Sequence, residues 1–220
     1  MTRSLTPILI TPTCTIGTGT RLDFGPSKTG SNMAEELKVL GICGSLRKAS
    51  LNMAALRACK DLAPAGMSLT IADISQVPMF NQDVFDAGIP EAARKLRAEI
   101  AAADGVLIAS PEYNFSLSAV LKNAIDWASR PPNQSWQDKP VAVFSCSQGP
   151  LGGARVQYDL RRILGQLWAH VLPRPEVFIG AAPGKFADGK LTDEATRKFL
   201  TDLLAGFKPW IERMRVAKPK

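Results

Sequence analysis

From Leu37 onward, short apolar runs alternate with stretches in which apolar residues recur every three or four positions. Val39-Leu40-Gly41-Ile42-Cys43 reads as a buried strand leading into a helix over about Leu51–Leu62. Leu69–Ile74 reads as a second strand. Pro90 suits the first turn of a helix whose apolar face is Ala93, Leu96 and Ile100. Val106–Ala109 forms a third strand, and the next helix carries Leu117, Val120, Leu121 and Ala124 on one side. Pro140–Phe144 begins a fourth strand, followed by a helix marked by Val156, Leu160 and Leu164. A fifth strand falls within Val171–Ile179, where Pro173 and Pro175 interrupt the run and point to an edge or a late start. The last helix has the clearest stripe: Leu200, Leu203, Leu204, Phe207, Trp210, Ile211 and Met214, read as core packing or a subunit contact.

Five strands alternating with five helices predict a three-layer α/β sandwich around a parallel sheet. The strands do not alternate apolar with polar, as expected for a sheet covered on both faces. For five strands the common doubly wound order is 2-1-3-4-5. It opens a ligand crevice beyond the C-terminal ends of strands 1 and 3. The chemistry is therefore expected just after Cys43 and just after Ala109.

Residues 1–32 break the pattern: they are rich in Thr, Gly, Pro and Ser, carry only Asp23 as an acid, and show no sustained period. Met33 directly precedes the patterned region, so residues 1–36 are read as an unstructured extension and residues 37–216 as one domain. Ile8-Leu9-Ile10, between Pro7 and Pro12, is too short for a signal-peptide core, and Arg3, Arg21 and Lys28 give a transit peptide little charge.

Composition narrows the function classes. A chain of 220 residues with 45% hydrophobic and 21% charged residues is built to bury a core. No stretch approaches the roughly 20 apolar residues that span a bilayer, so no membrane partner is expected; a cytoplasmic setting is expected from the thiols read below. The net charge of +7 invites a nucleic-acid reading. The basic residues are scattered among acids, however: Lys185, Lys190, Arg197 and Lys198 sit among Asp188, Asp193 and Glu194. A solvated surface with a basic C-terminal end is favoured, and no nucleic-acid partner is expected. Cys14, Cys43, Cys59 and Cys146 form no CxxC pair, so no metal site is expected and the cysteines are read as buried reduced thiols. The single histidine, His170, is given a structural role at the start of an apolar stretch, which largely removes hydrolase chemistry.

Three loops remain. After strand 1, Gly44-Ser45-Leu46-Arg47-Lys48-Ala49-Ser50-Leu51-Asn52 runs into a helix whose free N–H groups attract anions. Gly44 is read as permitting a tight turn, Ser45, Ser50 and Asn52 as short hydrogen-bonding groups, and Arg47 as a fork for phosphate oxygens. Neither a Walker A motif nor GxGxxG is present, and an ordinary capped helix start is the plainer alternative. After strand 3, Ser110-Pro111-Glu112-Tyr113-Asn114-Phe115-Ser116 turns out of the sheet and offers flat apolar surface; Ser116 or Asn114 is expected to cap the next helix. After strand 4, Ser145-Cys146-Ser147-Gln148-Gly149-Pro150-Leu151-Gly152-Gly153-Ala154-Arg155 allows close backbone approach to a ligand, or is simply a flexible turn. Together the loops describe a phosphate at one end and a planar ring at the other.

These loops resemble the NADPH-dependent FMN reductase family, including bacterial chromate and quinone reductases and related azoreductases. The resemblance rests on Gly44-Ser45-Leu46-Arg47 with Ser50 and Asn52, Pro78-Met79-Phe80-Asn81-Gln82-Asp83, Ser110-Pro111-Glu112-Tyr113-Asn114, Leu121-Lys122-Asn123-Ala124-Ile125-Asp126-Trp127, and Gly149 through Arg155. It implies a flavodoxin-like fold, non-covalent FMN, and NADPH or NADH as donor. It further implies ping-pong hydride transfer to a small acceptor: a quinone, a flavin, an azo compound, or a metal oxyanion such as chromate. By the same resemblance Ser45, Arg47, Ser50, Leu51 and Asn52 hold the phosphate. Pro111, Glu112, Tyr113 and Asn114 line the ribityl chain and ring, while Ser147, Gln148 and Gly149 close over it. No catalytic side chain is implied, and a homodimer or homotetramer is. Phe115 departs from the tyrosine of many relatives, and Arg130–Asp138, with Trp136, is read as shaping the acceptor pocket or as an exposed loop. The rival readings are a non-catalytic flavodoxin-like electron carrier and an FMN-binding redox-responsive interaction module.

Overall fold

The computed structural model describes residues 36–217. The reading of residues 1–36 as an extension thus falls, except for Glu36, outside the described residues, as does Cys14. Five crossing units build the domain. Strand β1 (Leu37–Cys43) leads to α1 (Leu51–Leu62), then to β2 (Met67–Ile71), α2 (Gln82–Ala87) and α3 (Glu91–Ala102). Strand β3 (Gly105–Ser110) leads to α4 (Ala119–Ala128), and β4 (Pro140–Cys146) to α5 (Ala154–Gln166). The chain closes with β5 (His170–Val171), β6 (Val177–Ile179), a 3₁₀ turn (Ala182–Lys185), the hairpin strands β7 (Phe186–Ala187) and β8 (Lys190–Leu191), and α6 (Glu194–Ala217).

The sheet is parallel in the order β2-β1-β3-β4-β5, with β6 also on β4, so the expected doubly wound topology is present. Its two faces carry separate cores. One joins α1 and α6 through Leu56, Cys59, Leu200, Leu204, Phe207 and Ile211. The other joins α3, α4 and α5 through Leu96, Ile100, Leu121, Ile125, Val156 and Leu160. The final stripe is therefore core packing for Leu200, Leu203, Leu204, Phe207 and Ile211, all fully buried.

Several boundaries differ from the sequence reading for identifiable reasons. β2 begins two residues early and ends at Ile71, because its register runs from Leu37↔Met67 to Gly41↔Ile71. Asp73 then turns the chain by accepting the Ser75 N–H. The fifth strand is two fragments. Each pairs with β4, and the intervening segment holds Pro173 and Pro175, which have no N–H to give a ladder. The five expected helices become six, since α2 is an added short helix whose start is capped by Asn81. The β7–β8 hairpin was not foreseen. Trp136 is neither exposed nor a pocket wall: it is fully buried in the second core and donates its indole N–H to the Ile125 carbonyl. His170 starts β5, where its carbonyl accepts the Trp210 indole N–H. No helix among the described residues is long and apolar enough to cross a membrane.

Candidate functional site

The C-terminal ends of β1, β3 and β4 sit side by side in register, Cys43↔Ala109 and Ser110↔Ser145, so their three loops must leave the sheet together. They enclose a cavity of about 640 Å³. Of the twelve residues read from the sequence as ligand-binding, eleven line it: Ser45, Arg47, Ser50, Leu51, Asn52, Pro111, Glu112, Tyr113, Ser147, Gln148 and Gly149. Asn114 does not. It lies in the turn beyond, facing the groove between α4 and α5.

Each loop is held by identifiable contacts. Gly44 has no positive φ, so its value is not a special turn. A Cβ there would stand 3.1 Å from Leu121 and 3.2 Å from Pro111, and glycine is what lets the first and second loops touch. Ser118 donates to the Gly44 carbonyl at 2.6 Å and accepts the Leu121 N–H, so Ser118 caps α4, not Ser116 or Asn114. Tyr113 and Ser116 exchange backbone hydrogen bonds around Asn114 (φ 49°) and Phe115 (φ 68°), a tight turn with both central residues left-handed. The third loop bends through Gly152 (φ 61°), where any Cβ would lie 2.6 Å from the Phe178 backbone. That close approach seats the loop against β6.

Inside the cavity, Ser50 caps α1 by accepting the Met53 N–H. The N–H groups of Leu51 and Asn52 have no partner among the described residues and stand at the positive end of the helix dipole. Asn52 spans the site: its Nδ2 donates to the Cys146 carbonyl at 2.9 Å, and its buried Oδ1 has no partner. Arg47 and Lys48 line the wall without a carboxylate partner among the described residues. The one acid on the wall, Glu112, is committed elsewhere. Its Oε2 accepts the Arg155 and Val156 N–H groups at 3.0 and 3.2 Å, and its Oε1 pairs with the Arg155 guanidinium. Glu112 thus ties the second loop to the start of α5. Arg155 in turn stacks over the exposed Phe115 ring at 4.0 Å.

Burial pushes the Cys146 thiol up to about 12, partly offset by the Lys185 charge, so this cysteine on the cavity wall is a neutral, unreactive group. Asp159 holds the aromatic turn from below. The Ser116 hydroxyl donates to it and Arg162 pairs with it at 2.6 Å, and both keep its carboxyl below the ordinary value. Sequence reading missed Lys48, Ala49, Ala54, Arg57, Cys146, Pro183, Phe186 and Gly189 on the same cavity wall. The four-residue step from Ser50 to Ala54 was a legible signal for α1; nothing in the sequence pointed to the hairpin residues.

This site suits a ligand with an anionic end and a flat body. Unpaired helix N–H groups, uncommitted cations and a buried amide oxygen cluster on one side. Pro111, Tyr113 and the open Gly149, which has no atom within 4 Å of a notional Cβ, lie on the other. FMN has that outline. Fold and site therefore define a flavodoxin-like protein with a mononucleotide-shaped crevice.

Comparison with known proteins agrees. The model of the NADPH-dependent FMN reductase family matches residues 37–184, and the chain belongs to that family. An NAD(P)H-dependent FMN reductase of Pseudomonas aeruginosa is 48% identical over 184 residues, 83% of this chain and 100% of that protein. A quinone reductase of Escherichia coli K12 is 40% identical over 188 residues, 84% of this chain and 100% of that protein. Among solved structures, the flavoenzyme NAD(P)H:(acceptor) oxidoreductase FerB of Paracoccus denitrificans superposes with a TM-score of 0.74 at 38% identity, over 81% of this chain and 98% of that one. The chain is an oxidoreductase, with FMN as cofactor and a reduced nicotinamide nucleotide as donor.

Proposed function

We propose that the chain holds FMN in this cavity and passes electrons from NADPH or NADH, by a ping-pong sequence, to a small organic acceptor, a quinone first among them. The observation that carries this reading is the single cavity walled by all three loops. When bound, FMN supplies the hydride chemistry, accepting from the nicotinamide and giving to the acceptor. The protein's part is to bind and orient. Ser45, Arg47, Ser50 and the Leu51 and Asn52 N–H groups hold the phosphate at the head of α1. Pro111 and Tyr113 on one side and Ser147, Gln148 and Gly149 on the other border the ring. Glu112 acts through Arg155 and α5, fixing the loop that carries Tyr113. The Gln148 and Gly149 N–H groups, without a partner among the described residues, are donors for negative charge on a ligand at this edge.

A quinone is favoured over a metal oxyanion because the same loops expose Leu46, Tyr113, Phe115 and Leu151, an apolar rim suited to a flat apolar molecule. A quinone reductase of Escherichia coli and a 2-hydroxy-1,4-benzoquinone reductase of Burkholderia are among its relatives. Azo, flavin and chromate reduction are secondary expectations. The exposed rim also fits a homodimer or homotetramer, and the buried, unpaired Cys43, Cys59 and Cys146 fit a cytoplasmic setting. The test is a visible spectrum of the purified chain, reconstituted with FMN and titrated anaerobically with NADPH and then NADH. Bleaching, followed by recovery of colour on adding a benzoquinone, is expected. A bound flavin that stays yellow with both nucleotides would favour a carrier, and failure to bind FMN would remove the assignment.

A further inference from the structure

The cavity does not stop at the three loops. It runs on along α1 to Ala54 and Arg57, and is closed there by Pro183, Phe186 and Gly189 from the segment after β6. Phe186 and Gly189 lie past residue 184, where the family match ends. Ser50, Ala54 and Arg57 are spaced four and three apart, so they share one face of the helix. Helical side chains lean toward the N-terminus, which directs the long Arg57 stem back over the small Ala54 toward Ser50.

Charge proximity supports that direction. Burial raises the Cys43 thiol, and its hydrogen bonds with Ser45 and Ser50 and the positive charge of Arg57 pull it partly back. Cys43 Sγ lies 4.0 Å from Ser50 Oγ, so the Arg57 charge is felt at the head of the helix. Arg57 makes no ion pair or hydrogen bond among the described residues, and the first turn of α1 has no acid to compete for it. Arg57 is exposed, and what sets it apart from an ordinary solvent-facing arginine is its place on the cavity wall beside the helix cap.

We propose that Arg57 is a second phosphate-reading cation of this site, closing on the terminal phosphate of FMN from the helix side while Arg47 approaches from the loop side. This rests on the FMN reading above and adds to it a residue that selects the phosphorylated flavin. A phosphate monoester is a dianion near neutral pH, and one arginine leaves half its charge unmatched. Riboflavin, lacking the phosphate, gains nothing from either arginine.

The experiment compares full-length wild type with Arg57→Ala, Arg57→Lys and Arg47→Ala. Binding of FMN and of riboflavin is followed by flavin fluorescence at several KCl concentrations, and thermal midpoints are recorded without flavin. Arg57→Ala should raise the FMN dissociation constant about tenfold or more, leave riboflavin binding within about twofold, and flatten the salt dependence for FMN. Arg57→Lys should recover part of the loss. Unchanged FMN affinity in Arg57→Ala, or equal losses for FMN and riboflavin, overturns the proposal. A wild type that binds no FMN would instead bring down the cofactor reading, and this inference with it.

Discussion

Replacing Glu112 separates a residue that touches the ligand from one that holds the wall. Helix α5 is preceded by Gly153, in a left-handed conformation with no side chain to cap it, so its first N–H groups depend on another segment. Glu112 supplies that cap from the loop after β3, and its side chain is only 13% exposed. Removing a charged acceptor shared by one exposed and one part-buried N–H group costs about 2–3 kcal/mol. The accompanying pair with Arg155, whose side chain is 44% exposed, adds little after solvent screening. Glu112→Gln retains an acceptor oxygen and loses mainly the charge at the helix end, about 1 kcal/mol. For a domain of this size these losses translate to about 5–10 °C for Glu112→Ala and about 2–4 °C for Glu112→Gln in the thermal midpoint. The assay is thermal unfolding of both variants without flavin, beside FMN affinity. Glu112→Ala should destabilise the flavin-free protein and weaken FMN as the Tyr113 turn loosens. A flavin-free midpoint equal to wild type, with FMN affinity lost, would place the carboxylate on the ligand and refute the capping argument.

Three other outcomes follow from the same geometry. Gly149→Ala puts a methyl where no atom lies within 4 Å and no positive φ is needed, so stability should hold within about 0.5 kcal/mol while FMN affinity falls; intact affinity would move the flavin away from this loop. Because the carboxyl of Asp159 is lowered by the Ser116 and Arg162 contacts, its contribution is present above the unfolded pKa and disappears as pH falls through the folded one. The stability gap between wild type and Asp159→Asn should therefore be open at pH 6 and close below about pH 4; a gap that stays constant to pH 2 would contradict this. Burial holds Cys59 and Cys146 near about 12, so peptide-mapped alkylation at pH 8 should leave both unmodified in the folded chain and label both in denaturant. Rapid native labelling of Cys146 would mean the cavity wall opens.

Local chemistry made much of this protein legible in the chain alone. Fully apolar runs such as Val106–Ala109 suit a sheet covered on both faces, and that requirement points to the doubly wound strand order. Ser50 ahead of a helix and a glycine cluster after β4 likewise announce an anion cradle and a close backbone approach, because backbone groups and φ values are properties of a few adjacent residues. Only the folded chain decided which side chains face the cavity. Glu112 reads as lining the ligand, and it does line the cavity, yet its carboxylate is also claimed by the start of a helix 43 positions further along. Trp136 sat in a polar stretch, yet the space between α4 and the sheet takes its indole. Arg57 and Phe186 reach the same cavity from segments far apart in sequence. Side-chain direction is settled by competition among groups that meet only when the sheet closes, and no local pattern records who will be there.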